Sequence, residues 1–164
     1  LTSGRRRVAV VGVPTGSHAS AARLRLDGYQ RAHGDLDVAW DDELWMSVAG
    51  YRRADGAEAV HRLVGTGRPF DAIFCFNDLL ALGALAALRQ HGVRVPEDVA
   101  VAGFDDIDEC SYSVPTLTSV SPDKGELALR AVHTLQARMD GAVDVPDPEV
   151  PFAIVQREST AANR

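Results

Sequence analysis

The chain has 164 residues, 46% of them hydrophobic and 24% charged, with a formal net charge of −6. That length suits one compact domain able to bury about 70% of its unfolded surface, and the composition is ordinary for a soluble globular protein. An acidic surface repels phosphate, so this segment is not expected to hold DNA by counterion release, and its apolar runs are too short to span a bilayer. Arg5, Arg6 and Arg7 form the one basic run and read as a solvated approach to a strand, not as a cleavable leader. Cys75 and Cys110 have no metal-type spacing. Cys75 lies in an apolar run and reads as a buried free thiol, which fits a reducing, cytoplasmic setting.

Strand and helix patterns alternate along the chain. Val8 to Val13 is a continuous apolar run, as in a strand buried on both faces, and a Pro14-to-Ser17 turn follows. The spacing predicts a helix from Ser20 to Ala32, with Leu24, Gly28 and Tyr29 inward, then a strand from Leu36 to Trp40 and a polar turn at Asp41–Glu43. A second helix is predicted over Val48–Val64, with Ala49, Ala57, Val60 and Val64 as its stripe and Gly65 and Gly67 as its stop. Asp71–Phe76 reads as the third strand, Asp78–His91 as the third helix and Val99–Phe104 as the fourth strand. An irregular loop to Pro115, an extended Leu117–Val120, a helix over Asp123–Met139 and a last strand over Phe152–Gln156 complete the chain. This alternation predicts an α/β fold, a parallel sheet with helices on both faces.

In such sheets ligands bind beyond the carboxyl ends of the strands. That rule selects Pro14–Ser20, Asp41–Trp45, Asn77-Asp78 and Asp105-Asp106, with Arg25 in reach one turn into the first helix. Arg25 offers a planar fork for paired oxygens, Asp105 accepts from hydroxyls, Asn77 both donates and accepts, and Trp45 offers a flat apolar face. Together they suit a sugar. Each also has a plainer reading: Arg25 as a surface partner of Asp27, Trp45 as core, Asn77 or Asp78 as a helix cap, and Asp105-Asp106 as a solvated turn.

Catalytic patterns are weaker. The sequence has no nucleophile elbow, no dinucleotide glycine motif, and no lysine in its Gly12-to-Gly16 turn to hold phosphate. The five histidines are scattered, and the acids Asp105, Asp106 and Asp108 find only Asp78 nearby as a matching acid for a metal. Neither a cofactor nor a metal is expected, and an enzyme built on Asp105 and Asp106 ranks below a binding domain.

Several stretches then carry a resemblance. Asn77-Asp78-Leu79-Leu80-Ala81-Leu82-Gly83 is similar to the "nDxxAlG" segment of the lactose-repressor (LacI/GalR) family of transcription regulators. Val95-Pro96-Glu97-Asp98-Val99 through Gly103-Phe104-Asp105-Asp106 resembles its "vPeDvsvvGfDd". Pro115–Val120 resembles "PxLTTv", Arg157–Thr160 matches the terminal "ReST", and Arg23–Tyr29 and Gly50-Tyr51 resemble two further segments.

The resemblance implies the C-terminal lobe of a two-lobed core like that of periplasmic sugar-binding proteins. Residues 1–117 and 152–164 would form the lobe, 118–151 would cross into an N-terminal lobe, and a DNA-binding head would lie outside this chain. It implies that Arg25, Trp45, Asn77 or Asp78, Asp105, and the loop around His18 and Ser20 face a small effector, with a sugar preferred and a nucleoside the second class. Pro122 departs from the polar residue many members have at the crossover. The resemblance also implies a homodimer through this lobe, with Leu79, Leu82 and the Cys110–Val114 loop, Ser113 included, as candidates. Operator DNA would be bound only through the head. A transport-type sugar-binding protein of the same fold is the alternative.

Overall fold

The computed structural model describes residues 4–13, 20–143 and 149–161. Strand β1 (Val8–Val13) leads to helix α1 (Ser20–Asp35), strand β2 (Trp45–Ser47) and helix α2 (Arg53–Gly65). Strand β3 (Ala72–Cys75), helix α3 (Asp78–Gln90) and strand β4 (Ala100–Phe104) follow, then β5 (Thr118–Pro122), α4 (Lys124–Met139) and β6 (Phe152–Val155). One six-stranded sheet has the order β2-β1-β3-β4-β5-β6. All neighbours are parallel except β5 and β6, which are antiparallel. The predicted α/β sheet is therefore present, with one antiparallel edge.

Because side chains alternate across a strand, β1 feeds two cores. Ala9 and Val11 join Ile73, Cys75 and Val101 beneath α2 and α3, while Val10 joins Ala22, Leu26, Tyr29 and Phe76 beneath α1. Helices α2 and α3 approach so closely that a Cβ on Gly83 would stand 1.9 Å from the Arg53 carbonyl oxygen, and one on Gly56 would stand 2.2 Å from that of Leu80.

Three local expectations are corrected. Leu24 is 69% exposed, and the inward stripe of α1 is Ala22, Leu26, Tyr29 and His33, at spacings of four, three and four. Leu36–Trp40 is not a strand. Asp37 takes φ +50°, Leu36 and Trp40 stay exposed, and Asp41 Oδ1 accepts from Glu43 N (3.0 Å) to cap a short turn at Asp42–Leu44. The second strand is instead Trp45–Ser47, with Trp45 opposite Val10. Helix α2 starts at Arg53, where Asp55 Oδ2 accepts from Arg52 N (2.9 Å), so Ala49 precedes it and is exposed.

Helix α4 is capped by Asp123, whose Oδ1 accepts from Glu126 N at 2.9 Å, yet none of its residues is buried. Leu127, Leu129, Val132, Leu135 and Met139 are exposed, as are Phe152 and Ile154 on β6.

Candidate functional site

The strand order reverses between β1 and β3, and in such sheets the crevice beyond the carboxyl ends opens at that point. Their ends are drawn close together: Gly12 has φ +119°, and a Cβ there would meet Phe76 Cβ at 2.6 Å. The Tyr51 hydroxyl donates to the Gly12 carbonyl (3.1 Å), and Asn77 Nδ2 donates to the Tyr51 carbonyl (3.1 Å). Asn77 Oδ1 caps α3 by accepting from Leu80 N (2.9 Å). Both ends of the Asn77 amide thus serve the frame that joins β1, the start of α2 and α3.

Asp78 is 1% exposed. Its Oδ1 accepts from Ser119 Oγ (2.6 Å) and its Oδ2 from Ile107 N (3.0 Å). Gly103 makes room for it, since a Cβ there would stand 2.1 Å from Asp78 Oδ1. Asp78 therefore ties the first turn of α3 to the loop after β4 and faces no solvent.

That loop carries Asp105 and Asp106 in left-handed backbone, with φ +105° and +51°. Such angles are uncommon for residues with a Cβ and persist where surrounding contacts over-determine them. Four contacts do so here. Asp105 N donates to Val120 O (2.9 Å), Asp106 N donates to Ser119 Oγ (3.1 Å), and Lys124 Nζ donates to the Asp106 carbonyl (2.9 Å). Arg157 Nη1 lies 2.8 Å from Asp106 Oδ1 while donating to the Leu117 carbonyl at 2.8 Å, so the carboxylate is held by charge rather than by an aligned hydrogen bond.

Arg25 completes the rim from α1. Its guanidinium carbon stands 4.0 Å above the centroid of the Phe104 ring, and Nη2 is 3.8 Å from Asp105 Oδ1. The aromatic face steers the guanidinium toward the acid, a contact that adds about 0.5–2 kcal/mol where water is partly excluded. Partial burial raises the Asp105 carboxyl above the ordinary carboxylate range. Arg25 opposes that rise, the Asp78 charge adds to it, and Lys124 opposes it. The result is a fork of donors, an apolar ring and an acceptor on one open edge. A recess of about 380 Å³ lies elsewhere, between the end of α3 and the Val114-Pro115 turn.

The other expected residues lie as follows. Trp45 is the first residue of β2, two short of its carboxyl end, and packs edge-on against Tyr29 with ring centroids 6.3 Å apart. Its buried Nε1 makes no well-aligned hydrogen bond among the described residues. His18 lies outside the described residues, and Ser20 opens α1. Leu79 and Leu82 are half-buried, with Leu82 packed on the main core. Cys110 is fully buried, its thiol pushed up to about 12 by burial and by Asp78, so it offers no surface to a partner. Ser113 Oγ donates to the Cys110 and Pro115 carbonyls at 3.3 and 2.8 Å. The loop presents Tyr112 and Val114 instead.

Phe104, Lys124 and the Asp106–Arg157 pair were missed by residue-type reasoning. Phe104, Asp106 and Arg157 all sit inside the quoted motifs, which were the available signal.

The family model of the periplasmic binding protein-like domain matches residues 1–160. The chain belongs to this family. A LacI-family transcriptional regulator from Sanguibacter keddieii superposes with a TM-score of 0.86 at 41% identity, over 98% of this chain and 60% of that one. The HTH-type transcriptional regulator AscG of Escherichia coli is 34% identical over 99% of this chain and 47% of its own length. A CelR–cellobiose complex, a transcriptional regulator, matches with a TM-score of 0.83 at 31% identity, over 96% of this chain and 48% of that one. The resemblance to the effector-binding core of LacI-type regulators therefore holds along almost the whole chain. The chain spans about a third to a half of the length of the curated relatives it matches.

Proposed function

We propose that this chain is the C-terminal lobe of the effector-sensing core of a LacI-type regulator, and that its effector is a small polyhydroxy compound, a sugar before a nucleoside. The observation that carries this is the Arg25–Phe104–Asp105 edge: a guanidinium stacked on a ring and aimed at an acid on a tightly held, left-handed loop. A hydroxylated ring suits this edge, with its oxygens on Arg25, which Phe104 backs, and its O–H donors on Asp105. The cellobiose bound in the CelR complex favours the sugar class. Trp45, Asn77, Asp78, His18 and Ser20 are assigned supporting places around this edge. For Asn77 and Asp78 the role is to hold the frame.

The lobe supplies one wall of a cleft. Residues 118–151 are assigned to the crossing into a second lobe, supported by an α4 that buries none of its own residues here. Effector in the cleft favours one closure state, and that state sets the spacing of DNA-binding heads in a homodimer working in the cytoplasm. The effector must bind the two states unequally, otherwise no equilibrium shifts. The half-buried Leu79 and Leu82, Ser113 and the exposed Tyr112 and Val114 are the proposed dimer face.

The deciding experiment is a thermal-shift screen of sugars and nucleosides on the full-length protein, followed by operator binding with each hit. A hit that alters operator affinity supports the reading. Sugar binding with no operator affinity under any condition, together with a secretory leader encoded upstream, favours the transport protein.

A further inference from the structure

Helices α2 and α3 run side by side from glycine contacts near their starts, and the same seam ends at two histidines. His61 on α2 and His91, the residue that caps α3, meet with Nδ1 of the first 2.8 Å from Nε2 of the second. Their rings are tilted at 64° with centroids 5.0 Å apart, and both side chains are exposed. The approach is supported from below, because Gly56 and Gly83 let the two helix backbones pack in direct contact.

We propose that His61 and His91 form a two-imidazole site for a borderline divalent transition cation such as Zn2+, with water filling the remaining positions. Imidazole nitrogens bind Zn2+ at about 2.0–2.1 Å, which sets two ligands of a tetrahedral ion about 3.3 Å apart. The observed pair needs to open by only about half an ångström, within the reach of small ring rotations. The setting also suits a cation. His91 follows the last turn of α3, and His61 lies one turn before the end of α2, so the ion sits near the negative poles of two parallel helices. Glu58, one turn before His61, is held by Arg62 at 2.9 Å. The site therefore rests on nitrogen ligands and selects against Mg2+ and Ca2+, which take oxygen. A bound ion bolts α2 to α3 at the end opposite their glycine contacts and stabilises the fold only where both helices are in place.

The test is thermal unfolding and calorimetric titration of chelator-treated protein with Zn2+, and with Mg2+ as the control. We expect one Zn2+ per chain and a Tm that rises with Zn2+. At a hundredfold excess over the dissociation constant the folding equilibrium should gain a factor of about 100. Mg2+ should do nothing. H61N and H91N should each abolish the shift while keeping the metal-free Tm, and H133N, on α4, should retain it. Cu2+ bound to the wild type should give the electron-spin resonance signature of two nitrogen ligands. An unchanged Tm in the wild type up to millimolar Zn2+, or a shift that survives in H61N or H91N, overturns the site.

Discussion

The carboxylate of Asp106 and the guanidinium of Arg157 meet at 2.8 Å with less than a fifth of either side chain exposed. This contact joins the loop after β4 to the residue that precedes the short turn at Glu158–Thr160, and Asp106 is the neighbour of the acid that faces Arg25. Losing one partner leaves the other charge sheltered and alone. Asp106→Asn and Arg157→Met are each expected to cost about 2–3 kcal/mol, somewhat below the range for a fully buried pair. Urea unfolding measures it, and a double variant close in stability to either single one would show that the two act as a unit.

Arg25→Ala and Asp105→Ala address the proposed rim. In the full-length protein both should abolish the response of operator binding to effector while leaving effector-free operator affinity within about threefold, since neither side chain is buried in the core. A gel-shift titration with and without effector reads this directly. A normal response in both variants would remove these residues from the site.

Asp105 has a distinct pH signature. Its carboxyl is raised in the folded chain, chiefly by burial, so the folded state holds its proton more tightly than the unfolded state. The sign follows. Stability from this group is complete below the ordinary aspartate value and declines as pH rises through that value toward the raised one. Asp105→Asn removes the ionisation and tolerates positive φ. The variant should therefore match or exceed the wild type in stability at pH 7, with the difference vanishing as pH falls below about 4. Chemical denaturation at pH 3.5 and pH 7 checks it, and a variant less stable at pH 7 than at pH 3.5, relative to wild type, would contradict it.

Gly83→Ala tests the helix seam. A methyl group there would sit 1.9 Å from the Arg53 carbonyl oxygen, backbone against backbone, with no flexible side chain to yield. The expected loss is at least about 3 kcal/mol, the upper end for overpacking, seen as a lowered urea midpoint with an unchanged slope. Gly28→Ala, with nothing within 4 Å of the added carbon, should by contrast be neutral or slightly stabilising.

Much of this was legible in the sequence because the signals were local. Continuous apolar runs marked β1, β3 and β4, and the rule of strand ends brought Arg25 and Asp105 to one edge although they lie on different elements. The second strand was misplaced because β2 has only three residues, too few for a period, while the neighbouring Leu36–Trp40 has apolar residues without a sheet to bury them. The inward place of Asp78 was not legible either. Whether that carboxylate points to the crevice or the interior depends on the missing Cβ of Gly103 and on the Ser119 hydroxyl, both distant in sequence. Trp45 illustrates the same limit, since its partner Tyr29 lies on helix α1, distant in sequence from strand β2.

Among the described residues, strand β6 closes one margin of the sheet and bonds to β5 alone, which leaves every second backbone group along it without a strand partner, beside the exposed side chains of Phe152 and Ile154. An unguarded margin of this kind is a template on which a further strand can grow. Handled by itself at high concentration, this chain will therefore tend to stack margin to margin into β-rich aggregates. A single lysine at position 152 or 154 is the change that should keep it in solution without touching the Arg25 edge.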